Sequence, residues 1–126
     1  MSPASAIALS GMTAAVARLN GAASNLVNAG DESPVGGAGF QPVRVTTQPT
    51  PGGGVAAVAT TVKPASTPAF DPASPVANAQ GVVAFPNVDA ISQITEAVSA
   101  QLAFAFSLKA FEVADASQKA LLDIVT

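Results

Sequence analysis

Seventeen of the 20 glycine and proline residues lie between Gly30 and Pro86, which leaves the two ends of this 126-residue chain almost free of helix breakers. In a helix interior Gly costs about 1 kcal/mol and Pro about 3 kcal/mol relative to Ala, so a long helix is open to the ends and closed to the middle. The distribution predicts a helical head over residues 1–29, a Gly/Pro-rich middle over residues 30–86 and a long helical tail over residues 87–126.

In the head, Leu9, Met12, Val16, Leu19, Ala23 and Leu26 follow one another at intervals of 3, 4, 3, 4 and 3, the seam spacing of a coiled coil. Ser2 before Pro3 reads as an N-cap and first helical residue, and Gly30 as the left-handed residue that closes the helix. From Val88 to Val125 there is neither Gly nor Pro. Ile91, Ile94, Val98, Leu102, Ala105 and Val113 recur there at helical spacing, interrupted by Lys109, while Phe104, Leu108 and Phe111 form a second apolar strip. Such a helix would reach roughly 57 Å, beyond the diameter of a compact domain this small. A head helix can cover only one of its strips, so the other predicts helices from further subunits.

The middle offers less. Val43, Val45 and Thr47 alternate, as do Val58, Thr60 and Val62, and the segment from Gln48 to Gly54 can turn between two short strands. A flexible linker is the competing reading, because small side chains bury too little to offset the entropy of ordering. The expected fold is therefore mainly α, with the terminal helices paired as a coiled-coil-like bundle and at most a short β-hairpin between them.

The side-chain inventory excludes most chemistry. There is no His, Cys, Trp or Tyr, hence no imidazole base, thiolate nucleophile or nitrogen or sulfur metal ligand. Ser107 with Lys109 and Ser117 with Lys119 are two residues apart, a spacing that puts them on different helix faces and forms no nucleophile and base. Asp115 and Lys119 are four apart and read as an exposed supporting pair. Asp31 and Glu32 are an isolated acidic couple without the ligand pattern of a calcium loop, and the Gly clusters carry no P-loop Lys. No enzyme, cofactor or metal site is expected. Five basic against eight acidic residues argue against nucleic acid. The N-terminus lacks a basic region before its apolar stretch, which argues against a cleaved signal peptide, and the apolar runs are too interrupted to predict a membrane span.

Three segments together carry a resemblance. The head, Ala8-Leu9-Ser10-Gly11-Met12 through Arg18-Leu19-Asn20 to Asn25-Leu26-Val27-Asn28, resembles the N-terminal motif of bacterial flagellar axial proteins. Phe70-Asp71-Pro72 through Gly81 to Pro86-Asn87-Val88-Asp89 is similar to a block of the flagellar basal-body rod proteins of the C type, which form the proximal rod. Ala100-Gln101, Ala103-Phe104, Ser107, Lys109 and Ala114-Asp115 are similar to that family's C-terminal region. The chain departs from the pattern at Leu102, where the family usually has Arg, and at Phe104, where it has Tyr. The resemblance implies a rod subunit, exported through the flagellar type III apparatus without a cleaved signal. Its terminal helices would stack with copies of itself and other rod proteins into a periplasmic tube that transmits torque and encloses the export channel.

The residues expected to make those subunit contacts are Leu9, Met12, Val16, Leu19, Leu26, Ile94, Val98, Leu102, Phe106 and Val113, because their area dominates strips otherwise built from Ala. The alternative is a soluble helical adaptor or chaperone-like module that holds one partner helix in a groove.

Overall fold

The computed structural model describes residues 1–125, with side chains as far as Asp123; Thr126, the last residue of the expected tail, lies outside the described residues. The elements run α1 (Pro3–Val27), β1 (Val43–Pro49), β2 (Val55–Thr61), β3 (Ser66–Phe70), β4 (Val82–Pro86) and α2 (Ala90–Val125).

Both helices begin on a capping side chain. The Ser2 hydroxyl accepts from the Ser5 N–H at 3.1 Å, with Pro3 as the first helical residue. The Asp89 carboxylate accepts from the Ile91 N–H at 3.1 Å and from the Ser92 hydroxyl at 2.6 Å. α1 ends sooner than expected: Asn28 is its C-cap and its side-chain amide donates to the Ser24 carbonyl at 2.8 Å. Gly30 has no positive φ, so it is not the left-handed closing residue expected of it.

The expectation of a mainly α chain with at most one hairpin is overturned by the middle, which holds two antiparallel two-stranded sheets, β1–β2 and β3–β4, so the fold is mixed α/β. The prolines within these strands occupy positions where none is harmful. Val62 N–H donates to Pro42 O and Thr50 N–H to Gly54 O, which places the ladder bonds of the first sheet on even-numbered residues and leaves Pro49 outside them. In the second sheet Asp71 N–H donates to Gly81 O and Asn87 N–H to Ala65 O, so the ladder runs through odd-numbered residues and passes over Pro68 and Pro86. The outward groups of Ala84 are not wasted, since Ser33 pairs with it at 2.9 Å in both directions as an isolated bridge on the far edge of β4. Val83, Ala84 and Pro86 are buried there.

The β1–β2 hairpin is ordered by docking rather than by its own core. Its turn uses Gly53 and Gly54 at φ +82° and +85°, a region that L side chains rarely adopt. α1 crosses the hairpin and pins it at both ends. Near the turn, Val55 N–H donates to the Ser10 hydroxyl at 3.1 Å; at the open end, Val43 N–H donates to Asn25 Oδ1 at 2.9 Å. Between these pins a Cβ on Gly21 would stand 2.7 Å from a Val45 methyl, so glycine is what admits the close approach. The two alternating series read from the sequence face opposite ways: Val43 and Val45 point toward α1, whereas Val58 and Thr60 lie on the other side of the register.

Candidate subunit interface

α1 and α2 pack antiparallel through small side chains. A Cβ built on Gly11 would meet Ser107 Cβ at 3.3 Å, and Asn25 donates to Gln93 Oε1 at 3.0 Å. Both pairs sum to 118, which defines one register along the whole seam. Ala8, Ala15 and Ala22 of α1 and Ala100 of α2 are buried in it. This seam is not the strip of large residues that the head spacing suggested. Small residues at the same three- and four-residue intervals carry the close contact, a signal present in the sequence but masked by the larger apolar residues beside it.

The large residues are consequently displaced outward. Ala100 and Leu102 are two positions apart, about 200° around a helix, so burying one exposes the other. Ile94, Val98 and Leu102 are more than half exposed, and Phe106 and Val113 are 72 % and 66 % exposed. In α1, Leu9, Val16 and Leu26 are exposed, while Met12 and Leu19 are half-buried. Seven of the ten expected contact residues thus fall into two groups, and Leu9, Met12 and Leu26 belong to neither. Val16 and Leu19 join Ala15, Ala100, Gln101 and Phe104 around an apolar groove of about 290 Å³ between the helices. Ile94, Val98, Leu102, Phe106 and Val113 form a ridge on the side of α2 turned away from α1. Phe104, which the expected set omits, lines the groove.

The groove and the hairpin lie on opposite sides of α1, because Leu19 and Gly21 are again about 200° apart. On the hairpin side, a polar cluster lies near the start of α2. Arg18 Nε donates to Glu96 Oε1 at 2.6 Å and its Nη2 to Ser99 Oγ at 3.2 Å, beside a cleft of about 460 Å³ that β1 and the start of α2 also line. The hydrogen bond to Glu96 holds the Arg18 guanidinium above its ordinary pKa, with burial opposing the shift. The hairpin side is not polar throughout: nearer the N-terminus, Ala6, Leu9, Ala14 and Ala17 of α1 face Val55 and Ala57 of β2 across a largely apolar groove.

The other sequence candidates are dispersed. Ser107 sits in the seam against Gly11, while Lys109 pairs with Glu112 at 2.7 Å. Ser117 donates to the Val113 carbonyl and Lys119 pairs with Asp115 at 2.8 Å, so neither Ser–Lys couple forms. Glu32 accepts from the Ser74 hydroxyl. Among the described residues no group of three carboxylates could hold a metal ion. The stretch Ala90–Asp123 is long and apolar enough to cross a membrane by length and composition, a property the interrupted runs had argued against. Only 6 % of its most apolar window is buried.

The sequence matches no protein-family model, and no curated protein matches it.

Proposed function

We propose that this chain is a structural subunit of the bacterial flagellar proximal rod, assembling by helix packing into a tube that transmits torque and encloses the export channel. The observation that carries the reading is the division of labour in the helix pair. The seam within one molecule is built mainly from Ala, Gly and Ser around the Asn25–Gln93 pair, and most of the large apolar residues of both helices face outward. Exposed apolar area on this scale marks an interaction surface. A groove on one side and a ridge on another are different patches, and contact between unlike patches propagates as an open helical array instead of closing as a dimer. The resemblance of the head, the Phe70–Asp89 segment and the tail to rod proteins supplies the identity of that array.

Phe106→Asp tests the assembly. The side chain points away from α1, so the charge is tolerated by the monomer, and the variant is expected to keep its helical circular dichroism while failing to polymerise in sedimentation. Polymers of ordinary length from that variant would remove the basis for the reading. The adaptor alternative is favoured by the groove alone: one partner helix lying along Val16, Leu19 and Phe104 would fill it. It requires a closed complex of fixed mass, which the same sedimentation run distinguishes from an open series of oligomers. Flotation with lipid vesicles would identify a membrane role for α2 instead.

A further inference from the structure

We infer that Asn25 is the register pin of the helix pair, the one residue that selects a single alignment of α1 on α2. The need for a pin follows from the seam. In the observed alignment, paired positions sum to 118: Gly11 meets Ser107, and the same register sets Ala15 opposite Ala103, Ala8 opposite Ala110 and Ala22 opposite Glu96. Sliding α2 by one heptad gives pairs that sum to 125, and Gly11 then meets Ala114, Ala15 meets Ala110 and Ala22 meets Ala103. Every one of these is again a small residue on a small residue. Apolar burial and shape thus hardly distinguish the two alignments, because an Ala seam offers no large knob that fits one hole only. The slide in the other direction, with pairs summing to 111, sets Ala22 on Asp89 and Asn25 on Pro86, both before the start of α2, so it leaves the end of α1 uncovered and buries less of the seam.

The polar groups do distinguish them. Asn25 is 1 % exposed and fully bonded: its amide donates to Val43 O at 2.6 Å and to Gln93 Oε1 at 3.0 Å, and its carbonyl accepts from Val43 N–H at 2.9 Å. In the slipped alignment it faces Ala100, and one of its N–H groups is left buried without an acceptor. The Arg18–Glu96 pair is lost in the same slip, but its side chains are 21 % and 37 % exposed, so water compensates them. The buried amide therefore dominates the choice. Because Asn25 also holds the open end of the hairpin through Val43, it fixes three elements at one point. A single buried Asn that fixes register in a helix pair is a known physical device.

The absence of Cys from the sequence makes a clean test available. Full-length chains carrying Gly11→Cys with Ser107→Cys report the observed alignment, and Gly11→Cys with Ala114→Cys reports the slipped one. With Asn25 present, the Ser107→Cys pair should oxidise roughly tenfold or more faster than the Ala114→Cys pair, the preference expected from one unsatisfied buried group. Asn25→Leu, of similar bulk and unable to pair, should bring the two rates to within about threefold while helical circular dichroism is retained. In that background the Ala114→Cys pair should also oxidise faster than in concentrated urea, where the chain has no register. Gln93→Leu, which leaves the Val43 bonds in place, should shift the ratio in the same direction by less. A ratio unchanged in both variants would show that other contacts set the register and would overturn the inference. So would loss of helix in Asn25→Leu with no slipped bridge above the urea level, which would make Asn25 a source of stability without a choice of alignment.

Discussion

Asp89 shows how much of an element's boundary rests on one side chain. Its carboxylate accepts from the Ser92 hydroxyl and the Ile91 N–H in the first turn of α2. The Ser92 bond is the main reason its pKa lies below the ordinary carboxylate value; slight desolvation opposes the shift and the Ile91 and Ser92 amides add to it. A group whose folded pKa is depressed binds fewer protons than it does in the unfolded chain as the pH falls. Its contribution is therefore complete above the ordinary Asp pKa and disappears as the pH drops through the lower folded value. The first turn of α2 should fray in that acidic window, seen as faster amide exchange at Ile91 and Ser92. Asp89→Asn, which keeps a capping oxygen and removes the titration, should flatten that pH dependence. An Asp89→Asn chain with the same acid-dependent exchange as the parent would assign the fraying to another group.

The hairpin and α1 depend on each other through Gly21, where helix propensity and packing predict opposite signs. Gly→Ala in a helix interior is worth about 1 kcal/mol of added stability from propensity alone. Here the new methyl would stand 2.7 Å from a Val45 Cγ2, on a β-branched side chain with little freedom to turn aside. Overpacking of this kind costs about 1–3 kcal/mol, so Gly21→Ala should lower the urea midpoint despite the better helix former. A raised midpoint would mean that the hairpin moves aside freely. The same position explains what the sequence made legible. The two helices were readable because the absence of breakers and the cap at Ser2–Pro3 are local signals. The first hairpin was half readable, from the alternation of Val43, Val45 and Thr47 with Val58, Thr60 and Val62, but β3 and β4 carry no such alternation, and the parity of Pro68 and Pro86 against the ladder, which admits them, shows only once the register is known. The large outward residues were identified by type and spacing. Their separation from the seam was hidden, since Gly11, Ala15, Ala100 and Ser107 count as weak apolar residues until a partner backbone comes close enough to need them small.

For the whole molecule the decisive quantity is area. One face of α2, 36 residues long, offers a strip of roughly 54 by 10 Å, or about 540 Å², against the roughly 800 Å² per partner of a standard stable interface. A ridge on α2 alone is too small, and the groove side with α1 must contribute to holding neighbours. If the ridge of one copy meets the groove of the next, the two patches can be disabled separately. Leu19→Asp damages the groove and leaves the ridge, and Phe106→Asp does the reverse. Each variant alone lacks one half of every contact and should sediment as a monomer. Mixed in equal amounts, they retain one intact ridge and one intact groove between them and should form dimers that cannot extend, since the remaining two patches are both charged. A contact between like patches behaves differently, because each variant alone would still dimerise through its undamaged patch and mixing would add nothing. Dimers from either variant alone would therefore rule out an open array built on ridge and groove, while monomers apart and dimers together would establish the polarity that a growing rod requires.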